Sequence, residues 1–548
     1  MLLPDAKTYK ELTERFSWQI PDQFNIGVAI CDAWADKEPR REALVYAEEG
    51  QPAHTYSYGA LKRLSNQLAN LLKSRGIQQG DRIGILMPQR PETAFAHIAA
   101  LKLGGISIPL FILFGEEALE YRLKDSGAKA VITDESGAAK LEKIHGSLPE
   151  LTTVFCADGA HHGADDLWAA MEGHEETFEP VDTRPNDPAI IIYTSGTTGQ
   201  PKGALHGHRV LLGHLPGVEM SHDFLGQPED RIWTPADWAW IGGLLDVLMP
   251  ALYLGVPVVA CRFKKFTAEA AFQLLQDQNI RNAFIPPTAL KMMRQLDAPE
   301  DRWQLNLRTV ASGGETLGAE LIDWGRKTFG QTINEFYGQT ECNMIVSSCS
   351  EIMDARPGIM GKAVPGHELA IVSDAGEVLP SGTFGNIAVK RPDPVMFLKY
   401  WNNEAATQKK FAGDWLLTGD TGEMDEDGWI RFVGRDDDVI TSSGYRIGPG
   451  EIEDCLIKHP AVAMAGVIGK PDAQRTEIVK AYIILKQDVE PSDALSKEIV
   501  DFVKIRLAAH EYPREIEFVD ALPMTTTGKV IRRELRARAV ETDDIGNS

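Results

Sequence analysis

Four apolar residues, Ala189-Ile190-Ile191-Ile192, run straight into Tyr193-Thr194-Ser195-Gly196-Thr197-Thr198-Gly199-Gln200-Pro201-Lys202-Gly203. The run is rich in β-branched residues and is stopped by turn residues, so it reads as a buried strand. The glycines that follow let the backbone turn tightly and approach a ligand closely. Hydroxyls, exposed N–H groups and the amine of Lys202 make a cradle suited to polyphosphate oxygens. It is not a Walker A loop, which needs four residues between its glycines and a Ser or Thr after its lysine; here Gly203 follows Lys202. Composition alone would favour a flexible Gly/Thr surface loop; the apolar strand directly before it, the lysine and the later motifs weigh against that reading.

Around this loop the pattern alternates. Residues 56–76 carry Leu61, Leu64, Leu68, Leu71 and Leu72 on one helical face. Strands are expected at 83–87, 106–110 and 130–133, with helices at 93–103 and 115–126 between them. That alternation implies an α/β layered domain. Residues 136–188 are expected to be a connecting excursion with little order, in which His161 and His162 are surface loop residues rather than metal ligands. At 548 residues the chain is too long for one core, so at least two domains are expected.

A net charge of −23, from 79 acidic against 56 basic residues, argues against a general nucleic-acid or anionic-membrane surface. Anionic ligands would need local basic and N–H-rich sites. The cysteines Cys31, Cys156, Cys261, Cys342, Cys349 and Cys455 are scattered, with no CxxC pair, as expected of buried reduced thiols. The opening MLLPDAKTYKELTERF lacks a long apolar core, so no secretory signal is expected and a cytoplasmic location is. The most apolar stretches, 104–114 and 247–261, are broken by Gly and Pro and are too short to span a membrane.

Two further strings matter. Asn334-Glu335-Phe336-Tyr337-Gly338-Gln339-Thr340-Glu341 lies about 140 residues after the phosphate loop, and Pro523-Met524-Thr525-Thr526-Thr527-Gly528-Lys529 lies near the end. Together with YTSGTTGQPKG they resemble the motifs of the adenylate-forming synthetases: acyl-CoA synthetases, firefly-luciferase-like enzymes and peptide-synthetase adenylation domains. The resemblance covers nearly the whole chain and is nearest to the short- and medium-chain acyl-CoA synthetases. It implies an α/β fold: a large N-terminal domain of layered α/β subdomains with a small β-barrel-like part, and a small mobile α+β C-terminal domain. The boundary is expected at the charged link 435–440, giving domains 1–434 and 435–548, with Asp437 as the hinge. Its three adjacent acids repel one another and should prefer solvent.

The resemblance also assigns roles. Thr194, Ser195, Gly196, Thr197, Thr198, Gly199 and Lys202 would hold the phosphates. Gly313, Gly314 and Glu315 would lie on the adenine side, and Asp420 and Arg435 on the ribose. Within the octamer Glu335, Phe336, Tyr337, Gly338, Gln339 and Thr340 would form the nucleotide wall. Tyr337 can stack on the base, Thr340 can donate to the α-phosphate, and Glu341 is a hard oxygen ligand suited to Mg²⁺. Arg446 would sit near the phosphate. His206, Trp240, Gly313 and Gly338 would line the acyl pocket, with Trp238 as readily an ordinary core residue. Ser443, Gly444 and Tyr445 would enter the pantetheine tunnel, and Arg475, Tyr512, Pro513 and Arg514 would contact the nucleotide of CoA. Lys529, Thr198 and Glu341 are the catalytic candidates.

The implied activity is ligation of a carboxylic acid to CoA: adenylation by ATP with release of pyrophosphate, then thiol attack with release of AMP. Gly338 suggests depth where acetate-restricted relatives carry Trp, so the acid is expected to be longer than acetate: short- to medium-chain, branched, thioether-containing or small aryl. The chain ends about twenty residues after Lys529, which speaks against a fused carrier domain. Two alternatives stay open: a ligase that hands its acyl group to a carrier protein, and a non-catalytic nucleotide-binding relative. A homo-oligomer is also left open.

Overall fold

The computed structural model describes residues 1–548 apart from 49–50, 195–199, 264, 316, 436–437, 443–444, 473–474, 488, 508–511, 526–528 and 547–548. The leucine-striped segment is helix α1 (Tyr58–Ser74). Ser57 caps it by accepting from Ala60 N, and Leu61, Leu68, Leu71 and Leu72 are buried. Helix α2 (Pro91–Lys102) starts with proline at its first position, where no intrahelical partner is lost. Both helices pack with β1 (Arg82–Leu86) in one apolar cluster that includes Leu68, Leu72, Ile83, Ile85, Phe95 and Ala99.

That strand belongs to an eight-stranded sheet with β2 (Ile106–Leu110), β3 (Ala128–Thr133), β4 (Pro188–Thr194) and β5 (Lys202–Gly207). β1 pairs in parallel with β2 and β3, and β2 in parallel with β4. Sheets covered on both faces read as continuous apolar runs, which is why Ala189-Ile190-Ile191-Ile192 stood out. β5 returns antiparallel to β4, with Thr194 opposite Lys202. The phosphate-loop candidates Ser195–Gly199 lie outside the described residues, but the two strands fix where that loop leaves and re-enters the sheet. The stretch 136–188 is more ordered than its composition suggests. It holds a helix at Glu135–Ile144, capped by Asp134, and a strand at Thr153–Cys156 that extends the sheet beyond β3.

Helix α3 (Val210–Ser221) is buried throughout. A second sheet, of fourteen strands, begins as parallel layers that include β6 (Thr309–Gly313) and β7 (Ile333–Gln339). It turns antiparallel at β8 (Cys342–Ser347) and continues through β9 (Trp415–Met424) and β10 (Trp429–Arg435). The part expected to be barrel-like is this antiparallel extension. Its strand order runs on without closing and ends at Leu369–Val372.

After Arg435 the chain builds a separate five-stranded sheet, with helices α4 (Pro449–Ile457) and Asp493–Arg506 and helix α5 (Arg532–Gly546). Its own core includes Ile440, Ile452, Val467, Ala481 and Val503. Asp438 departs from the solvated-linker expectation. It is buried and meets Arg536 Nη1 at 2.9 Å and Arg532 Nη1 at 3.5 Å. Arg532 also grips both oxygens of Glu453 at 2.8 and 2.7 Å. Two guanidinium groups thus supply the charge that Asp438 would otherwise seek from water. The five thiols Cys31, Cys156, Cys342, Cys349 and Cys455 are buried and Cys261 is half-buried.

Candidate active site

β6 and β7 lie side by side, pairing Ser312 with Glu335 and Gly313 with Phe336. At the end of β7 the buried Tyr337 donates its hydroxyl proton to Asp420 Oδ2 at 2.6 Å. Asp420 stands on β9 directly opposite Arg435 on β10, whose Nε lies 4.0 Å from Asp420 Oδ1. Burial raises the carboxyl's pKa, while Tyr337, Arg435, Lys410 and Lys529 pull it back down. An aromatic ring, a carboxylate and an exposed guanidinium therefore share one wall, although they come from distant parts of the sequence.

Gly314 follows β6 at φ +93°, a left-handed conformation that suits glycine. A β-carbon there would lie 3.9 Å from Lys529 Nζ. The amine from the small C-terminal sheet region thus stands in the cleft of the larger one. Its turn is held by Thr525 N donating to Lys529 O at 2.7 Å and Lys529 N donating to Thr525 Oγ1 at 3.0 Å. Lys529 as a whole is exposed, but its amine tip loses solvent in the cleft, which lowers its pKa; Glu315 and Asp420 oppose that shift and Arg435 adds to it. Glu315 itself accepts from Thr288 Oγ1 at 2.8 Å.

The turn after β7 is braced by two residues that sequence reasoning missed. Tyr400 donates its hydroxyl proton to Glu341 Oε1. Lys410 donates to Gln339 Oε1 at 2.8 Å, Thr418 O at 3.0 Å and Leu417 O at 3.1 Å. Gln339 Nε2 in turn donates to Thr418 O at 2.9 Å. Lys202 Nζ sits 5.2 Å from the centroid of the Tyr400 ring, and both border a cavity of about 350 Å³ with Asn403, Lys409 and Lys410. Thr340 is half-buried beside Glu341.

Some expected site residues do other work. Glu335 is buried and its Oε1 accepts from Leu317 N at 3.2 Å, which ties it to the protein backbone. Burial pushes its pKa up to about 8. The Phe336 ring lies 2.6 Å from where a β-carbon on Gly313 would stand, and its centroid is 5.0 Å from that of Phe284. The pairing shifts register between Tyr337 and Gln339, leaving Gly338 at a bulge. A β-carbon on Gly338 would fall 2.5 Å from Met344 N and 2.6 Å from Asn343 Oδ1. A side chain at this glycine would meet the backbone of β8.

Trp240 is half-buried and packs against Phe111 and Phe114 at 5.5 and 6.0 Å, whereas Trp238 is fully buried. His206 is also fully buried, and neither ring nitrogen has a hydrogen-bond partner among the described residues. Burial, with help from His214 and Arg209, pushes its pKa down to about 3.

On the small sheet, Arg446 pairs with Thr441 and Tyr445 with Ser442 along the backbone. Arg475 N donates to Asp472 Oδ1 at 2.8 Å. Tyr512 lies between Lys504 and Arg514, at 4.5 and 4.8 Å from its ring centroid, with Pro513 buried beside it. Asp437, Ser443 and Gly444, like Ser195–Gly199, lie outside the described residues. Among the described residues no three of His, Cys, Asp and Glu gather as a metal-holding group, and no helix is long and apolar enough to cross a membrane.

The AMP-binding enzyme model matches residues 31–401, and the AMP-binding enzyme C-terminal domain model matches 451–529. Acetyl-coenzyme A synthetase of Bacillus subtilis (strain 168) is 38% identical, over 97% of this chain and 95% of its own length. The mitochondrial acyl-coenzyme A synthetase ACSM1 of Homo sapiens is 33% identical, over 95% and 92%. The crystal structure of the anthranilate CoA ligase AuaEII in complex with anthranoyl-AMP matches with a TM-score of 0.86 at 29% identity, covering 96% of this chain and 99% of that one.

Proposed function

The chain belongs to the AMP-binding enzyme family, and we propose that it is an AMP-forming acyl-CoA synthetase that joins a carboxylic acid to CoA through an acyl-adenylate. The observation that carries this reading is the Lys529 amine, 3.9 Å from the Gly314 β-carbon position and facing Glu315 and Asp420.

A carboxylate is a poor acyl donor because its leaving group would be oxide. In the first step a carboxylate oxygen bonds to the α-phosphorus of ATP, and the bond from that phosphorus to pyrophosphate breaks. Two anions must meet, so Lys529 serves by placing a cation between them. Tyr337, Asp420 and Arg435 seat the base and ribose, and Thr340 donates to the α-phosphate. The loop from Thr194 to Lys202 holds the departing phosphates, with Lys202 facing the cavity beside Tyr400. In the second step the CoA thiol attacks the acyl carbonyl and AMP leaves with the electron pair.

Magnesium fits the site. Glu341 gives one oxygen to Tyr400 and keeps the other without a hydrogen bond among the described residues, and Mg²⁺ is ordinarily held by one or two carboxylates plus substrate phosphates. When bound it would offset the polyphosphate charge.

The boundary falls at Arg435, giving units 1–434 and 435–548. Rotation about Asp437 would withdraw Lys529 and bring residues 443–445 to the thiol. Arg475, Tyr512 and Arg514 then meet the nucleotide of CoA. Trp240, Phe111 and Phe114 make an aromatic wall for the acid, which suits a short- to medium-chain, branched or small aryl carboxylate better than acetate. A panel of such acids with ATP, Mg²⁺ and CoA, read as AMP release, tests the reading. Acid-independent AMP release, or release only with acetate, overturns it.

A further inference from the structure

Near Gly242 lies a polar pair that the chemistry above does not use. Asn343, on β8, donates Nδ2–H to Asp246 Oδ1 at 2.8 Å. Both residues are buried, at 5% and 3% exposure. Asp246 Oδ2 and Asn343 Oδ1 have no hydrogen bond among the described residues. Burial holds the Asp246 carboxyl well above the usual carboxylate range, so it can donate as well as accept. His214 Nε2 lies 3.9 Å from Asp246 Oδ1 and, like both nitrogens of His206, has no hydrogen bond among the described residues.

The two unused oxygens face two half-buried glycines. A β-carbon on Gly242 would stand 3.6 Å from Asp246 Oδ2 and 3.1 Å from the Phe284 ring. A β-carbon on Gly338 would stand 2.6 Å from Asn343 Oδ1. Gly242 follows Trp240 by two residues in the chain, and Gly338 is among the residues that the family resemblance assigns to the acyl pocket. Most of their surroundings are apolar: Phe284, Phe336 and Met344 belong to one buried cluster. Unused acceptors in such a place carry a desolvation cost that a bound partner would relieve.

We propose that Asp246 and Asn343 form a polar end to the acid pocket, and that the acid activated here carries a hydroxyl or amino group on its body rather than a plain hydrocarbon chain. This rests on the reading that the Trp240–Gly242 segment lines the acid site. A site that hydrogen-bonds a substrate group discriminates strongly against the analogue lacking it.

The test uses acids matched in size: 3-hydroxybutanoate against 3-methylbutanoate, and 4-aminobenzoate against 4-methylbenzoate. The kcat/KM for pyrophosphate release is measured with each. The polar member is expected to win by tenfold or more in at least one pair. Asp246→Leu should bring that ratio to within about threefold of one, and Asn343→Leu should act in the same direction. Stabilisation by ATP in a melting experiment checks that each variant is folded. If one leucine variant is unfolded the other carries the test, with Asp246→Asn as a milder variant that should narrow the ratio. The proposal falls if the methyl members do as well as the polar ones, or if the variants lose both members equally and keep the ratio. Absence of pyrophosphate release with every acid would instead sink the synthetase reading, and this inference with it.

Discussion

Lys529 Nζ stands 3.9 Å from the point a β-carbon on Gly314 would occupy, so a residue 215 positions later in the sequence reaches the turn that follows β6. Lys529→Ala should lower carboxylate-dependent pyrophosphate exchange by a factor of about 100 or more, the scale of losing one oriented charge at a reacting centre. ATP binding, followed by calorimetry, should persist. Because burial lowers the amine's pKa, the adenylation rate should fall on the alkaline side as the cation is lost, and earlier than for an ordinary lysine. Lys529→Arg, which stays charged, should remove that alkaline limb at reduced rate. A pH profile identical in both enzymes would count against a cationic role.

Tyr337→Phe deletes the 2.6 Å hydrogen bond to Asp420 but keeps the ring. The expected loss is about 1–2 kcal/mol, read as a five- to thirtyfold rise in KM for ATP with little change in melting temperature. An unchanged KM would mean that the tyrosine serves only the core.

Lys410→Met leaves Gln339 Oε1 and the carbonyls of Leu417 and Thr418 without their shared donor. Stability should drop by about 1–3 kcal/mol, measured by urea denaturation, and KM for ATP should rise because the turn bearing Thr340 and Glu341 loosens. Loss of stability alone, with normal kinetics, would separate the brace from the site.

Glu335 supplies a prediction with a definite sign. Its folded pKa is raised to about 8 by burial, while an unfolded glutamate titrates near 4.3. The folded state therefore holds a proton that the unfolded state has lost, and the stability this gives fades as pH rises through about 8. Melting temperature should fall between pH 6 and pH 9, and Glu335→Gln should reduce that fall. An equal fall in the variant would place the effect elsewhere.

The large features of this molecule were legible because they are local. The apolar run at 189–192, the leucine stripe of α1 and the strand–turn around Gly313 each carry their own periodicity or turn chemistry. What stayed hidden depends on tertiary contact. Lys410 beside Lys409 reads as a solvated charge until the fold sets three acceptors around it. Glu335 reads as part of a ligand motif until β6 and the Leu317 amide show what it caps. Gly338 reads as missing bulk, and the sequence gives no hint that the backbone of Asn343 and Met344 comes close to it across a bulge. Residues 136–188 look weakly ordered in composition, but Asp134 caps a helix there and the strand at Thr153–Cys156 finds a neighbour in β3. Asp438, apparently one acid in a repelling row, is claimed by two arginines nearly a hundred positions away.

Those arginines have a mechanical consequence. Arg532 sits three residues past Lys529 and, with Arg536, pins α5 to Asp438, while its bidentate grip on Glu453 pins α5 to α4. Lys529 is thereby tied to Asp438, three residues past Arg435. On the rotation proposed above, the amine would withdraw together with this anchor, both moving as one stiff lever.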